Sequence, residues 1–239
     1  MNLQPEVSRN KQSLLRASDI SRKYGSFSAL NSINIDIRDG DKILLLGPNG
    51  SGKSTLLKIL SGRLRASAGK VSLLSETNLS QIRRKVAYQG DATQLYGPLT
   101  VRENFDLFSS LASRASEIDS ASLLATWGLV NFQDRALDLL SRGNQTRASL
   151  AISLNSSLPV LALDEPTLAL DSAGKKILLD SLKKRPTNGG AIILATHEVG
   201  IFAEIVNRVV IVKNGAIIED LVGCFTEVRL NEIYEGICL

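Results

Sequence analysis

Residues 43–55 read ILLLGPNGSGKST, an apolar run that passes into a glycine-rich turn and then into a helix-forming stretch. The turn fits the pattern G-x-x-x-x-G-K-[ST] between Gly47 and Ser54. Glycines let backbone amides converge on a phosphate group, and a turn between a strand and a helix is the context in which this pattern binds phosphates. The alternative is a glycine-rich turn that only connects two elements. The segment predicts a phosphate-binding loop at the start of a helix over residues 53–60.

The polar groups of this predicted loop suit a nucleoside triphosphate. Lys53 places a positive charge at the β- and γ-phosphates, and the Ser54 hydroxyl is a ligand for Mg²⁺. The predicted nucleotide-binding residues of the loop are Gly47, Pro48, Asn49, Gly50, Ser51, Gly52, Lys53, Ser54 and Thr55.

Two further apolar runs end in polar residues. Residues 160–163 run into Asp164 and Glu165, and residues 191–195 run into Thr196 and His197. Uninterrupted runs of this length are typical of strands buried on both faces, as in a parallel sheet covered by helices. Ligands bind at the carboxyl edge of such sheets, so we expect these polar residues to lie near the phosphate loop.

The acidic pair predicts metal binding and base catalysis. Asp164 is placed to hold the magnesium shell, and Glu165 to orient and deprotonate an attacking water. The alternative is an acidic helix cap before Pro166. His197 is the sole histidine of the chain, and its position at the ligand edge favours contact with the γ-phosphate or the attacking water. A lone histidine is more often a structural or surface residue.

A second turn, LSRGNQTR at residues 140–147, also resembles an anion-binding helix start. Ser141 suits a helix N-cap, and the amides of the following turn suit a phosphate. Gln89 follows a short β-like run, where a surface glutamine is the default interpretation. From the residues alone, neither segment has an assigned ligand.

Composition and patterning bound the organisation. The chain is 44% hydrophobic and 22% charged, and its longest apolar run is five residues, whereas a membrane-spanning helix needs about 20. With no signal-peptide core at the N-terminus, we expect a cytoplasmic protein. Cys224 and Cys238 have no metal-binding spacing and are interpreted as small apolar residues. The net charge of +4 is a mild bias towards acidic partners.

The pattern changes along the chain. Alternation over residues 29–37 and the Asn214-Gly215 dipeptide within residues 208–219 predict antiparallel strands and a hairpin. Residues 103–112 and 118–128 predict amphipathic helices in a helical insertion over about 90–150. The first 15 or so residues are polar, and we expect them to be loosely ordered.

These motifs resemble those of ATP-binding cassette (ABC) ATPases, over about residues 15–221 and in the same order. The matching elements are Tyr24 as the adenine stacker, the phosphate loop, Gln89 as the Q-loop, LTVREN at 99–104, LSRGNQ as the signature, LALDEPTLALD as Walker B and D-loop ending at Asp171, and His197 as the switch histidine. The resemblance implies an α/β fold: a single-domain P-loop NTPase core with a mainly parallel sheet, an antiparallel β subdomain and an inserted α-helical subdomain.

The resemblance also implies the activity, hydrolysis of ATP with Mg²⁺. Lys53, Glu165 and His197 are then the catalytic set, and Ser54, Gln89 and Asp164 the metal set. Two subunits of such ATPases sandwich two nucleotides, so Ser141, Gly143 and Asp171 would act in trans on the ATP of a second subunit. The phosphate loop and the turn at residues 140–147 would therefore bind different ATP molecules.

The chain departs from the usual L-S-G-G-Q signature at Arg142 and Asn144, and it has Leu168 where the D-loop usually has serine. This signature form resembles export-type and haem-exporter-type ATPases. Arg142 would either add positive charge beside the γ-phosphate site or point to solvent. The presence of Glu165 and His197 argues against a degenerate cassette that does not hydrolyse ATP.

Three functions are candidates, of which the first two are compatible with these observations. The first is the ATPase subunit of a transporter, peripheral on the cytoplasmic face of a membrane, dimeric with itself or a related ATPase, and bound to a separate permease. A single cassette with only 18 residues after residue 221 favours it. The second is a soluble assembly factor, of the iron–sulfur or cell-division type. The third, nucleic-acid binding, is not expected, because the basic runs at 83–85 and 183–185 are short and typical of solvated faces.

Overall fold

The structure, a computed structural model, describes residues 12–90, 93–111, 119–185 and 190–238. Its strands are β1 (Ser13–Tyr24), β2 (Phe27–Arg38), β3 (Lys42–Leu46), β4 (Ala68–Leu73), β5 (Val86–Gln89), β6 (Val160–Asp164), β7 (Ala191–Ala195), β8 (Arg208–Lys213) and β9 (Ala216–Val222). Its α-helices are α1 (Lys53–Leu60), α2 (Leu79–Lys85), α3 (Val101–Leu111), α4 (Ser120–Thr126), α5 (Arg142–Asn155), α6 (Ser172–Lys184) and α7 (Glu227–Cys238).

The three apolar runs predicted from the sequence are neighbours in one sheet. The strand order is β5-β6-β7-β3-β8-β9, with every pair parallel except the antiparallel β8–β9. Because β6, β7 and β3 are adjacent and parallel, their carboxyl ends meet at one edge. The phosphate loop, Asp164 and the segment after Ala195 all leave from that edge, as the sequence predicted.

Each central strand is buried on both faces and separates two hydrophobic cores. On β3, Leu44 and Leu46 belong to the core shared with the helical segment, α6 and α7. Ile43 and Leu45 belong to the core shared with α1 and the antiparallel sheet. This period of two explains why the run is continuously apolar. Burial on both sides fixes the register of the strand and the position of the loop after it.

The second sheet is antiparallel, in the order β2-β1-β4. Register shifts interrupt the β1–β2 pairing around residues 17–23, and Asp19 and Ser32 have left-handed φ angles of 51° and 49°. Bulges of this kind break the alternation of a strand. They account for the absence of β1 from the sequence-based expectation. Residues 13–15 belong to β1, so the expectation of a loosely ordered start was wrong there; residues 1–11 lie outside the described residues.

The hairpin predicted at Asn214-Gly215 joins β8 and β9. Both residues have positive φ angles, 53° and 75°, as a two-residue turn between twisted strands requires. The Gly215 carbonyl accepts from the Asn31 amide at 2.8 Å, and a Cβ on Gly215 would lie 2.8 Å from the Ala29 carbonyl oxygen. The turn is thereby held against β2 of the antiparallel sheet.

A helical segment separates β5 from β6, as predicted. The expected helix over 103–112 is α3, and that over 118–128 contains α4; residues 112 and 118 lie outside the described residues. A capping box starts α3: Glu103 Oε2 accepts from the Thr100 amide at 2.8 Å, and Thr100 Oγ1 accepts from the Glu103 amide at 3.1 Å. Asn104 is fully buried and accepts from the Tyr96 amide at 2.8 Å. These contacts give the LTVREN stretch its structural role.

Two expectations concern the membrane and the cysteines. Within the described residues, none of the helices combines the length and the apolarity needed to cross a bilayer. Cys224 is a free cysteine at the surface; the side chain of Cys238 lies outside what the structure describes.

Candidate active site

The phosphate loop depends on glycines at two close approaches. Gly47 has a φ of 151°, and a Cβ there would lie 2.0 Å from the Val212 carbonyl oxygen. Gly52, at a φ of 108°, would place a Cβ 2.7 Å from the Ala29 carbonyl oxygen. No side chain fits at either distance, so glycines at these positions let the backbone bend tightly between β3 and α1.

Polar groups lie inside this bend. Lys53 is largely buried, and its ammonium donates to the Gly47 carbonyl at 2.7 Å and the Pro48 carbonyl at 3.1 Å. Among the described residues, Ser51 Oγ is buried without a hydrogen-bond partner. A buried cation and an unsatisfied hydroxyl within a glycine-rich turn suit the binding of a polyphosphate.

The adjacent oxygen ligands fit Mg²⁺. Ser54 Oγ donates to Asp164 Oδ1 at 3.0 Å, which joins the first turn of α1 to the end of β6. Among the described residues there is no cluster of three or more His, Cys, Asp or Glu side chains that would make an all-protein metal cage. Mg²⁺ is ordinarily held by one or two side chains together with substrate phosphates and water, so one hydroxyl and one carboxylate suffice.

Glu165 and His197 form a pair at the same edge. His197 Nε2 lies 3.1 Å from Glu165 Oε1, and the His197 amide donates to Glu165 Oε2 at 3.3 Å. Glu165 has a left-handed φ of 49°, and its amide donates to the Ala195 carbonyl at 2.7 Å. A non-glycine residue in this region costs about 1–3 kcal/mol, and such strain clusters at functional sites. The two candidate catalytic side chains are therefore held together by β6 and β7.

Gln89 is directed towards helix α5. Its side chain is buried, its Oε1 accepts from the Ser149 hydroxyl, and its Nε2 donates to the Gly90 carbonyl at 3.0 Å. It lines one cleft with Asp164 and Glu165. Its predicted contact with the metal stays a prediction, and it requires the amide to leave Ser149.

Tyr24 is half-exposed at the end of β1. The Arg22 guanidinium carbon lies 4.6 Å from the centre of the Tyr24 ring, so one ring face is stacked by a cation. Phe27, its partner across the β1–β2 turn, is also exposed. An ordered, accessible aromatic ring fits the predicted stacking on adenine.

The signature turn starts α5 as predicted. Ser141 is the N-cap, and its Oγ accepts from the Asn144 amide at 3.4 Å. A Cβ on Gly143 would lie 2.9 Å from the Ala169 carbonyl oxygen, so the signature packs tightly on the D-loop of its own chain. Arg142 is exposed and lines the cleft that contains Glu165.

Asp171 links the D-loop to the signature helix. Its Oδ1 accepts from the Gly174 amide at 2.8 Å, which caps α6, and it pairs with Arg147 of α5. The Gly174 amide and then the Arg147 guanidinium hold the pKa of the Asp171 carboxyl below its usual value. Its predicted role in trans would use a carboxylate that also has partners within its own chain.

Three residues beside the site were missed in the sequence. Arg22 stacks on Tyr24, Arg147 pairs with Asp171, and the Tyr234 hydroxyl lies 2.8 Å from His197 Nδ1. Arg147 stands within the quoted signature stretch, and Arg22 two positions before the stacking tyrosine, so spacing gave a weak signal for both. Tyr234 is 37 positions from His197, and only the fold brings them together.

The chain is similar in sequence to known ATP-binding proteins. The ABC transporter family profile matches residues 30–168. The hemin import ATP-binding protein HmuV of Agrobacterium fabrum is 30% identical over 217 residues, which are 85% of this chain and 84% of that protein. The macrolide export ATP-binding/permease protein MacB of Vibrio parahaemolyticus is 34% identical over 236 residues, which are 92% of this chain and 35% of that protein.

A solved structure is similar in fold as well as sequence. The dimeric post-hydrolysis state of the ATP-binding cassette MJ0796, bound to ADP and Pi, superimposes with a TM-score of 0.77 at 26% identity. The match covers 87% of this chain and 98% of that chain. Together with the family profile and the relatives, this match shows that the chain belongs to the ABC transporter family, as one of its ATP-binding and ATP-hydrolysing cassettes.

Proposed function

We propose that this ATPase closes as a head-to-tail dimer around Mg-ATP and passes the energy of closure to a separate membrane permease. The observation that carries the proposal is the pairing of Glu165 with His197 at the sheet edge that also holds Lys53 and the Ser54–Asp164 contact. In domain terms, residues 15–221 would form the cassette core and residues 90–150 the helical subdomain that transmits closure.

In this proposal the phosphate loop neutralises the substrate. Lys53 and the loop amides would stabilise negative charge that develops on the transferred phosphoryl group. Ser54 and Asp164 would hold Mg²⁺, with Gln89 completing the set through water. Mg²⁺ held by these residues would supply positive charge that offsets the negative charge of the phosphates. Tyr24 would stack on the adenine ring.

Glu165 would be the general base. Its carboxylate lies 3.1 Å from His197 Nε2 and accepts from the His197 backbone amide at 3.3 Å, so His197 fixes the position of both carboxylate oxygens. It would accept the proton of the water that attacks the γ-phosphate. His197 would present its Nε2–H to the carboxylate or to the phosphoryl oxygens, and so align the water with the substrate.

The second subunit would complete each site. Ser141 and Gly143 stand at the exposed start of α5, where helix amides favour an anion. Leu139 and Leu168 are among the most exposed leucines described, and the tight contact of Gly143 with Ala169 makes their segments neighbours. An apolar rim beside an anion-binding helix start suits a surface that faces another subunit.

The permease would contact the helical segment. Tyr96 and Leu111 are exposed, and Tyr96 lies against Phe108 with ring centres 6.5 Å apart. This surface begins seven residues after Gln89, so a movement of the Q-loop would reach it directly. The chain would then be peripheral on the cytoplasmic face of the membrane.

Export is the proposed direction. The LSRGN signature resembles that of export-type ATPases, and the family relatives include one named for macrolide export and one named for hemin import. The permease would select the substrate, because the motifs of this chain all belong to the nucleotide site.

Replacement of Glu165 by Gln tests the proposed base. The amide keeps the size of the side chain but cannot accept the proton, so we expect retained ATP binding, a fall in turnover of at least about 100-fold, and a dimer stable in ATP. The measurements are ATP hydrolysis and size-exclusion chromatography with and without ATP. Glu219→Gln, on the exposed edge strand β9, is the matched control. Normal turnover in Glu165→Gln would remove Glu165 from this role.

Affinity capture of the tagged chain from mildly solubilised cells tests the partner. Recovery of a polytopic membrane protein in matching amount supports the transporter proposal. We expect the substitution pair Tyr96→Ser and Leu111→Ser to reduce that recovery while ATP hydrolysis is retained. Recovery of soluble proteins alone would favour the assembly-factor alternative.

A further inference from the structure

Helix α7 packs against the segment that carries His197. Leu230 is fully buried in the main core, and Ile237 is nearly so. Lys213 Nζ donates to the Ile237 carbonyl at 3.2 Å, which fixes the last turn of α7 to the end of β8. A Cβ on Gly200 would lie 2.7 Å from Glu227 Cγ, so the segment after His197 and the first turn of α7 are in close contact.

This packing brings one polar group of α7 to the histidine. The Tyr234 hydroxyl lies 2.8 Å from His197 Nδ1, and the two rings meet edge to face with centres 6.2 Å apart. His197 Nε2 is at the same time 3.1 Å from Glu165 Oε1. Both ring nitrogens of the histidine therefore have defined partners on opposite sides.

The two contacts together select one tautomer. A carboxylate only accepts hydrogen bonds, so the nitrogen that faces Glu165 must carry the proton. In the neutral ring the other nitrogen, Nδ1, is then an acceptor, and a phenol hydroxyl is a suitable donor to it. With the proton on Nδ1 instead, an unprotonated Nε2 would face the carboxylate and two acceptors would oppose each other.

We propose that Tyr234 is a positioning residue that holds His197 with its Nε2–H directed at the nucleotide site. The inference rests on the role of His197 in the proposed function and extends it to α7, which would act on hydrolysis without contacting the nucleotide. A change in the packing of α7 would reach His197 through the Tyr234 hydroxyl.

Because His197 is the sole histidine of the chain, NMR of protein labelled with ¹⁵N-histidine reports the tautomer without assignment. At alkaline pH, where an ordinary imidazole is neutral, we expect the wild type to show a protonated Nε2 and a hydrogen-bonded acceptor Nδ1. In Tyr234→Phe the Nδ1 resonance should move to the position of an acceptor without a donor. Glu235→Gln, exposed on the same helix, is the control and should leave the spectrum unchanged. Identical His197 spectra in wild type and Tyr234→Phe would overturn the proposal.

Kinetics of the same variants test the consequence for hydrolysis. In Tyr234→Phe we expect kcat to fall roughly three- to tenfold, the effect of one hydrogen bond, with the KM for ATP unchanged. A changed spectrum with unchanged kcat would contradict the positioning role. His197→Ala separates the two proposals: full turnover in that variant would refute the proposed role of His197 in hydrolysis, whereas the spectra still decide whether Tyr234 orients the ring.

Discussion

The phosphate loop at residues 47–55 and the signature turn at residues 140–147 both have sequences typical of anion-binding turns. The two turns differ in the polar groups that surround them. The loop contains a largely buried lysine and lies beside the Ser54–Asp164 contact. The signature turn has an exposed serine cap with a long 3.4 Å hydrogen bond and no lysine. Contacts with the D-loop hold the signature turn in place: Gly143 packs on Ala169, and Arg147 pairs with Asp171. We propose that the first turn binds the phosphates of the chain's own ATP, and that the second turn contacts the ATP of a partner subunit.

The largest expected effect comes from removing the charge of the first turn. Lys53→Ala should weaken ATP binding at least about 100-fold, because the cation is desolvated inside the loop and interacts strongly with phosphate there. Binding of a fluorescent ATP analogue measures this. Lys58→Ala, exposed on the same helix α1, should bind as the wild type does. Equal affinity of the two variants would show that the loop is not the phosphate site.

An intermediate effect is expected at the second turn. Ser141→Arg should leave the ATP affinity of the monomer within about twofold and reduce turnover roughly tenfold or more, since a bulky cation at the helix start blocks a phosphate from the partner. Ser157→Arg, exposed beyond the other end of α5, serves as the matched control. If Ser141→Arg weakened monomer binding as much as Lys53→Ala does, the two turns would serve one nucleotide and the comparison would fail.

The smallest expected effect is on thermal stability, from the Asp171 contacts that hold the second turn in place. The pKa of Asp171 is lowered by the Gly174 amide and by Arg147, so its stabilising contribution is present above the ordinary carboxyl pKa and is lost as pH falls through the lower folded value. Asp171→Ala should therefore have a lower Tm than the wild type at neutral pH, with a gap that narrows in acid. Thermal unfolding across pH measures it, with Asp180→Ala as the control on the same helix. A gap that stays constant with pH would contradict this account.

The part of the fold that the sequence predicted is the part set by short-range patterns. The runs at β3, β6 and β7 are apolar because they are buried on both faces, and polar residues at their ends meet because parallel neighbours share an edge. The Asn214-Gly215 hairpin and the helical segment follow from turn chemistry and periodicity. These elements place Lys53, Asp164, Glu165 and His197 in one region.

The remainder depends on contacts between distant segments. Bulges at Asp19 and Ser32 hide the alternation of β1, and the position of α7 depends on Leu230 and Ile237, which pack into the main core. The direction of Gln89 towards Ser149 and the contact of Tyr234 with His197 are side-chain geometries between elements. Spacing in a single sequence does not encode them, because the same residue types would fit several rotamers and partners.

We propose that each ATP is bound by the phosphate loop of one chain and the signature of another. Mixing chains that carry Lys53→Ala with chains that carry Ser141→Arg tests this proposal. The experiment requires that the chain forms a dimer with itself, which the closed dimer of the Glu165→Gln variant would establish. In a mixed dimer one site combines both defects, and the other combines an intact loop with an intact signature. We expect ATP hydrolysis in the mixture to be well above that of either variant alone. Hydrolysis in the mixture no higher than the average of the two variants would contradict it and place both turns on the same nucleotide.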